Sequence, residues 1–125
     1  MTADEVVQRI IAKHKVAYDA QASGWTGFGL SCWFGQGQRE TVRYFYRSPD
    51  SPGEQAETPS VFADFRSLKL LLEDPSTVHG IVITYAKDTN TSDMRIIRDP
   101  EEAAKYQNSF GNPFDIAAAI RPPGV

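Results

Sequence analysis

Cysteine is all but missing. Cys32 stands alone, so no intramolecular disulfide can form and no cysteine-based zinc site can assemble. Histidine is nearly as scarce: His14 and His79 are the only two, and neither lies in an HxH or HExxH spacing. A zinc enzyme therefore has no ligand set here. No apolar run approaches membrane-spanning length, and the start, MTADEVVQRIIAKHK, lacks the basic-then-apolar order of a secretory signal. The expected setting is a reducing cytoplasm. No serine stands in a GxSxG context, and there is neither a solenoid-length repeat nor a low-complexity tract. Gly24, Gly27 and Gly29 form a GxxGxG ahead of a strand, whereas dinucleotide loops lie between a strand and a helix.

Charge of one sign is also modest. The net charge is −3, but residues 1–47 carry six Lys/Arg against four acids, and the remaining residues seven against twelve. An acidic later half argues against a nucleic-acid binder, which would show a basic face, and is compatible with a basic protein partner or with a plain solvated surface. Apolar and charged contents of 41% and 23% are those of a globular chain, and 125 residues suffice for a single domain with a real core.

What is present centres on Trp25 to Arg47, which reads as two strands folded on the turn Gly35-Gln36-Gly37-Gln38. Alternation places Phe28, Leu30, Cys32 and Phe34 on one face of the first strand, with Gly27, Gly29, Ser31 and Trp33 on the other. In the second, Val42, Tyr44 and Tyr46 alternate with Thr41, Arg43, Phe45 and Arg47. Before this pair, residues 2–20 form a helix: Thr2 and Glu5 make a capping box, and Val6, Val7, Ile10, Ile11, His14, Ala17 and Tyr18 follow helical spacing. After it, Ser48 to Glu57 carries no pattern and reads as an exposed acidic loop.

Thr58-Pro59 opens a second helix, with Val61, Phe62, Phe65, Leu68, Leu71 and Leu72 toward a core. His79 to Tyr85 is apolar on both faces and belongs inside a sheet. Residues 87–92 loop back into a fourth strand around Met94 to Arg98, and short helices follow over 100–107 and 113–120. The reading is a single α+β domain, order αββαββαα, with one antiparallel sheet of about four strands covered by helices on one face.

The reactive side chains are better explained by packing than by chemistry. His14 lies on the apolar stripe of the first helix, His79 stands at a strand entrance, and Cys32 alternates inward as a small hydrophobe. Asp99, Glu101 and Glu102 are accounted for by capping and the helix dipole, while Asp50, Glu54 and Glu57 have no structural explanation and read equally as a contact for a basic partner or as plain solubility. Trp25 reads as a packing residue. Trp33 is an interface anchor if its face of the sheet is bare, and core if a helix covers it.

The amphipathic helix, Gly24-Trp25 entering a strand, Tyr44-Phe45-Tyr46-Arg47, a Pro-containing loop, a Phe/Leu-rich helix and Gly80-Ile81-Val82-Ile83-Thr84 follow one another in order. Over roughly residues 2–98 this resembles the YezG-like immunity proteins of bacterial polymorphic toxin systems, which are small, cytoplasmic and non-enzymatic. The resemblance implies a stoichiometric inhibitor that plugs a basic or substrate-binding cleft of a cognate toxin, with no cofactor, metal or nucleic acid. Trp33, Asp50, Glu54, Glu57, Asp88 and Asp93 are the expected contacts. The alternative is a secretion chaperone or adaptor that masks an effector as a homodimer, which light scattering would separate. An enzyme would need a deep pocket lined by carboxylates.

Overall fold

The structure, a computed structural model, describes residues 1–35, 38–107 and 112–125. Helix α1 spans Ala3–Gln21. The Thr2 hydroxyl accepts from the Glu5 amide at 3.2 Å and the Glu5 carboxylate accepts from the Thr2 amide at 3.3 Å, which closes the capping box. Strands β1 (Gly27–Gly35) and β2 (Gln38–Tyr46) follow, in a register that sets Phe28 opposite Phe45 and Trp33 opposite Glu40. Gln36 and Gly37, where the sequence places the turn, lie outside the described residues. Then come α2 (Phe62–Leu71), a 3-10 turn at Pro75–Thr77, β3 (Gly80–Ala86), β4 (Thr91–Ile97), α3 (Pro100–Ala104) and α4 (Pro113–Ala119). The four strands form one antiparallel sheet in the order β2-β1-β3-β4, so β3 is interior as its apolar faces require. The αββαββαα order read from the sequence is the observed one.

Helix α2 starts later than its Thr-Pro signal suggests. Its N-cap is Val61, with no side-chain cap, and residues 58–61 run ahead of the helix. The Pro59 carbonyl, which a helix begun at 59 would commit to its own ladder, instead accepts from Arg43 Nη1 at 2.8 Å. The buried stripe is also narrower than the sequence suggests: Val61, Phe65 and Leu68 are buried, whereas Phe62 and Leu71, on its flanks, are exposed. Asp64 takes an inward place, pinned by Arg9 at 2.7 Å and Lys13 at 2.6 Å, and so ties α2 to α1. The charge is nearly enclosed but doubly paired, which keeps its burial tolerable.

On the first face of the sheet, α1 and α2 close over Phe28, Leu30, Cys32 and Phe34 of β1, Phe45 of β2 and Ile81, Ile83 and Tyr85 of β3. Rings of Tyr18, Trp25, Phe28, Phe45 and Tyr85 pack there with centroids 5.0–6.2 Å apart. Each fully buried Phe, Leu or Ile contributes about 1.5–3 kcal/mol of transfer free energy, so this layer dominates stability.

The second face is covered as well, contrary to the one-sided sheet expected from sequence. Val42, Tyr44 and Tyr46 of β2 and Val82 of β3 pack against Ala103 of α3 and Ile116, Ala117 and Ile120 in and after α4. The small side chains of β1 make this possible. A methyl group on Gly29 would lie 1.9 Å from the Ile120 carbonyl oxygen, and one on Gly27 would lie 3.0 Å from Val125. The C-terminal segment thus lies directly on the β1 backbone. Tyr46 hydroxyl donates to the Ala117 carbonyl at 2.5 Å, and the Arg121 guanidinium lies 4.5 Å over the Tyr46 ring.

Gly29→Val places its branched side chain against backbone that cannot yield. We expect the segment from Ile116 to Val125 to detach while the first face stays packed, at a cost of about 2 kcal/mol or more. Urea unfolding together with amide exchange at Ile116, Ala117 and Ile120 measures this; unchanged stability and protection would contradict the packing described.

Candidate functional site

Two short helices frame an opening on the second face of the sheet. The Asp99 carboxylate accepts from the Glu101 amide at 3.0 Å and starts α3; the Asn112 side chain accepts from the Phe114 amide at 2.9 Å and starts α4. Both begin with proline at their first turn, which suits its fixed φ. Between them runs a groove of about 860 Å³. Asp99, Glu101, Glu102 and Asp115 line it with carboxylates, Lys105 is the one cation among the described lining residues, and Ala104, Ile116 and Ala119 supply apolar surface. All four carboxylates belong to solvent-exposed residues. Phe114, 74% exposed, stands on the first turn of α4 beside Asp115.

The groove is the feature that sequence reasoning missed. Capping does explain Asp99, but it leaves Glu101 and Glu102 free to face the groove, and nothing local brings Asp115 alongside. The usable signal was the repeated start pattern, Asp-Pro-Glu-Glu and then Asn-Pro-Phe-Asp, which announces two acidic helix starts close in sequence.

The structure spreads the six residues singled out from sequence around the rim. Trp33 is at the far end of β1, half-buried against the second core, with its ring so close over Gly35 that a methyl group there would sit 2.1 Å from it. Asp50 is exposed. Glu54 pairs by backbone with Phe45, 2.9 Å in each direction, and its carboxylate takes Arg47 Nε at 2.8 Å. The Glu57 amide donates to Gln21 Oε1 at 3.2 Å while its side chain stays exposed. Asp88 is exposed in the β3–β4 turn, and Asp93 is exposed on β4, the edge opposite Glu54. At about 3.3 Å per strand residue, Trp33 lies roughly 20 Å from the Gly27 end of β1, where the 48–57 segment and Asp88 gather.

That segment is not the free loop its composition suggests. Its Glu54 bridge caps the outer edge of β2, and Arg121 Nη1 donates to the carbonyls of Ser48 and Pro49 at 3.2 Å each and of Val125 at 3.0 Å, with Nη2 bonded to the Ser51 carbonyl. The acidic strap and the C-terminal segment therefore hold one another.

Cys32 is buried in the first core, and Trp25, also buried, donates its indole N–H to Asp19 at 2.9 Å. Among the described residues no group of three His, Cys, Asp or Glu side chains is placed to hold a metal, and no helix is long and apolar enough to cross a membrane. No protein-family model, curated protein or solved structure matches this chain.

His14 is fully buried, in ring contact with Tyr18 and Phe28, with Nδ1–H donating to the Ile10 carbonyl at 2.8 Å. Its Nε2 has no partner among the described residues, so the ring is a neutral core group. Burial pushes its pKa down to about 4, against an opposing pull from the Ile10 bond, and the nearby Arg43 and Lys13 charges add to the depression while Asp64 resists it. In the unfolded chain the imidazole titrates near 6.5. The unfolded state therefore binds the extra proton first. Stability from this group is complete above pH 6.5 and is lost as pH falls to about 4, for a total near 3 kcal/mol. His14→Leu should flatten that part of the acid transition; urea midpoints at pH 7 and pH 4 compare the two proteins, and an equal acid loss in both would contradict the assignment.

Proposed function

We propose that this chain is a non-enzymatic, cytoplasmic immunity-type protein that binds a basic surface of a cognate bacterial toxin and blocks it. The observation that carries the reading is the α3–α4 groove, where Asp99, Glu101, Glu102 and Asp115 line one opening together with Ala104, Ile116 and Ala119, and Phe114 is exposed on the first turn of α4. Such a surface suits a basic segment: carboxylates steer the approach, and an aromatic beside an apolar floor slows release. The same carboxylates are exposed to water, which favours recognition of a cation over the desolvated setting that acid–base catalysis uses. The two groups most apt for chemistry, Cys32 and His14, are sealed in the first core. Asp50, Glu57 and Asp88 add an exposed acidic rim at the far end of the sheet.

The test is co-expression with the toxin domain encoded beside this gene. The wild-type chain should protect. Glu101→Lys, Glu102→Lys and Asp115→Lys combined, which spare the Asp99 and Asn112 caps, should abolish protection and slow association at least about tenfold. Asp50→Asn, Glu57→Gln and Asp88→Asn combined should have a smaller effect. Full protection by the groove variant, or no toxicity to protect against, would defeat the proposal.

A further inference from the structure

The outer edge of β4 carries backbone groups with no strand beside them among the described residues. Gly27 stands opposite Ala86, and the Lys87 N–H donates to the Thr26 carbonyl at 2.8 Å, which makes Gly27 and Ala86 a non-hydrogen-bonded pair. By alternation, Ile81, Ile83 and Tyr85 bond to β1, and Gly80, Val82, Thr84 and Ala86 turn their N–H and C=O groups to β4. Their partners there are Ile97, Arg95, Asp93 and Thr91, and the Ile97 carbonyl also accepts from the His79 N–H at 2.9 Å, which shows that it faces β3. Ser92, Met94 and Ile96 therefore direct their backbone groups off the sheet, where no further strand pairs among the described residues. The opposite edge, on β2, is partly closed by Glu54.

The side chains along this edge complement themselves. Asp93 and Arg95 flank Met94 and point to the same face. The Arg95 guanidinium is held on Tyr106, 5.3 Å from the ring centre and bonded to its hydroxyl, whereas Asp93 is exposed and has no ion pair among the described residues. We propose that β4 pairs antiparallel with β4 of a second copy of this chain, with Met94 on the two-fold axis and Asp93 facing the partner's Arg95. Met94 then exchanges backbone bonds with the partner's Met94, and Ser92 with the partner's Ile96. Asp93 and the partner's Arg95 fall at non-hydrogen-bonded positions, where facing side chains come closest. Charge also selects the register. A slip of two residues either way sets Arg95 against the partner's Arg95, or Asp93 against the partner's Asp93. So short a seam makes a reversible dimer, well short of the obligate homodimer of a masking chaperone, and it stands independently of the groove's role.

Sedimentation velocity of the full chain over a wide concentration range tests this. The wild type should show a concentration-dependent monomer–dimer equilibrium. Asp93→Arg and Arg95→Asp should each weaken it at least about tenfold, since like charges then face one another twice. An equal mixture of these two variants should dimerise again, because each supplies the charge the other lacks. Ser92→Pro removes an outward N–H, leaves the bonds to β3 intact, and should give a folded monomer. If Arg95→Asp unfolds through loss of its Tyr106 contact, Asp93→Arg and Ser92→Pro carry the test. The proposal is overturned by a wild type that stays monomeric throughout, by dimerisation unaffected in Asp93→Arg or Ser92→Pro, or by a folded mixture that stays monomeric.

Discussion

The direct seating of the C-terminal segment on the backbone of β1 is the constraint on which the rest of this molecule depends. Only a strand without side-chain bulk at Gly27 and Gly29 lets the Ile120 carbonyl approach so closely. Because that lane is open, Ile116, Ala117 and Ile120 reach Tyr44 and Tyr46, and a four-stranded sheet is sandwiched rather than half-wet. Arg121 then lies where it can hold both the 48–51 carbonyls and the chain terminus, so the acidic strap is ordered by the same contact. The position of α4, and with it the width of the groove against α3, follows from this docking.

With both faces filled, recognition is left to the perimeter. Exposed apolar residues remain at Met1, at Val16 of α1, on α2, where Leu70 is 66% exposed, and at Phe114, which adjoins the acidic groove. The imbalance of charge in the later part of the chain is thereby given a location. Its acids lie at the starts of α3 and α4, in the turn at Asp88 and along the strap, with Glu73 and Asp74 after α2 and Asp93 on β4. The buried ionisable groups serve the fold instead: Asp64 joins two helices, and His14 fills the first core as a neutral ring.

Local signals were legible in sequence wherever the deciding interaction spans few residues. The Thr2–Glu5 box, the stripe from Val6 to Tyr18, the alternation of β1 and β2 and the caps at Asp99 and Asn112 all involve neighbours within a turn or a hairpin. The start of α2 misleads because a distant arginine, Arg43, occupies the Pro59 carbonyl and overrides the Thr-Pro signal. Phe62 and Leu71 flank the Val61, Phe65 and Leu68 stripe and stay exposed, a distinction that apolar spacing alone does not make. The lane of small residues was visible as a pattern, but its purpose is not encoded nearby: the segment that fills it is some ninety residues further along the chain, at Ile120. The groove was hidden likewise, since Asp115 meets Glu101 and Glu102 only after both helices have docked on the sheet.

The most direct measurement is a nuclear Overhauser spectrum of the full chain in solution. Docking of the C-terminal segment predicts strong cross-peaks between the Gly29 α-protons and Ile120, and between Gly27 and the Val125 methyls. Missing cross-peaks, with residues 113–125 giving narrow lines at unstructured shifts, would show the second face of the sheet to be bare and would contradict the architecture from which the rest is argued.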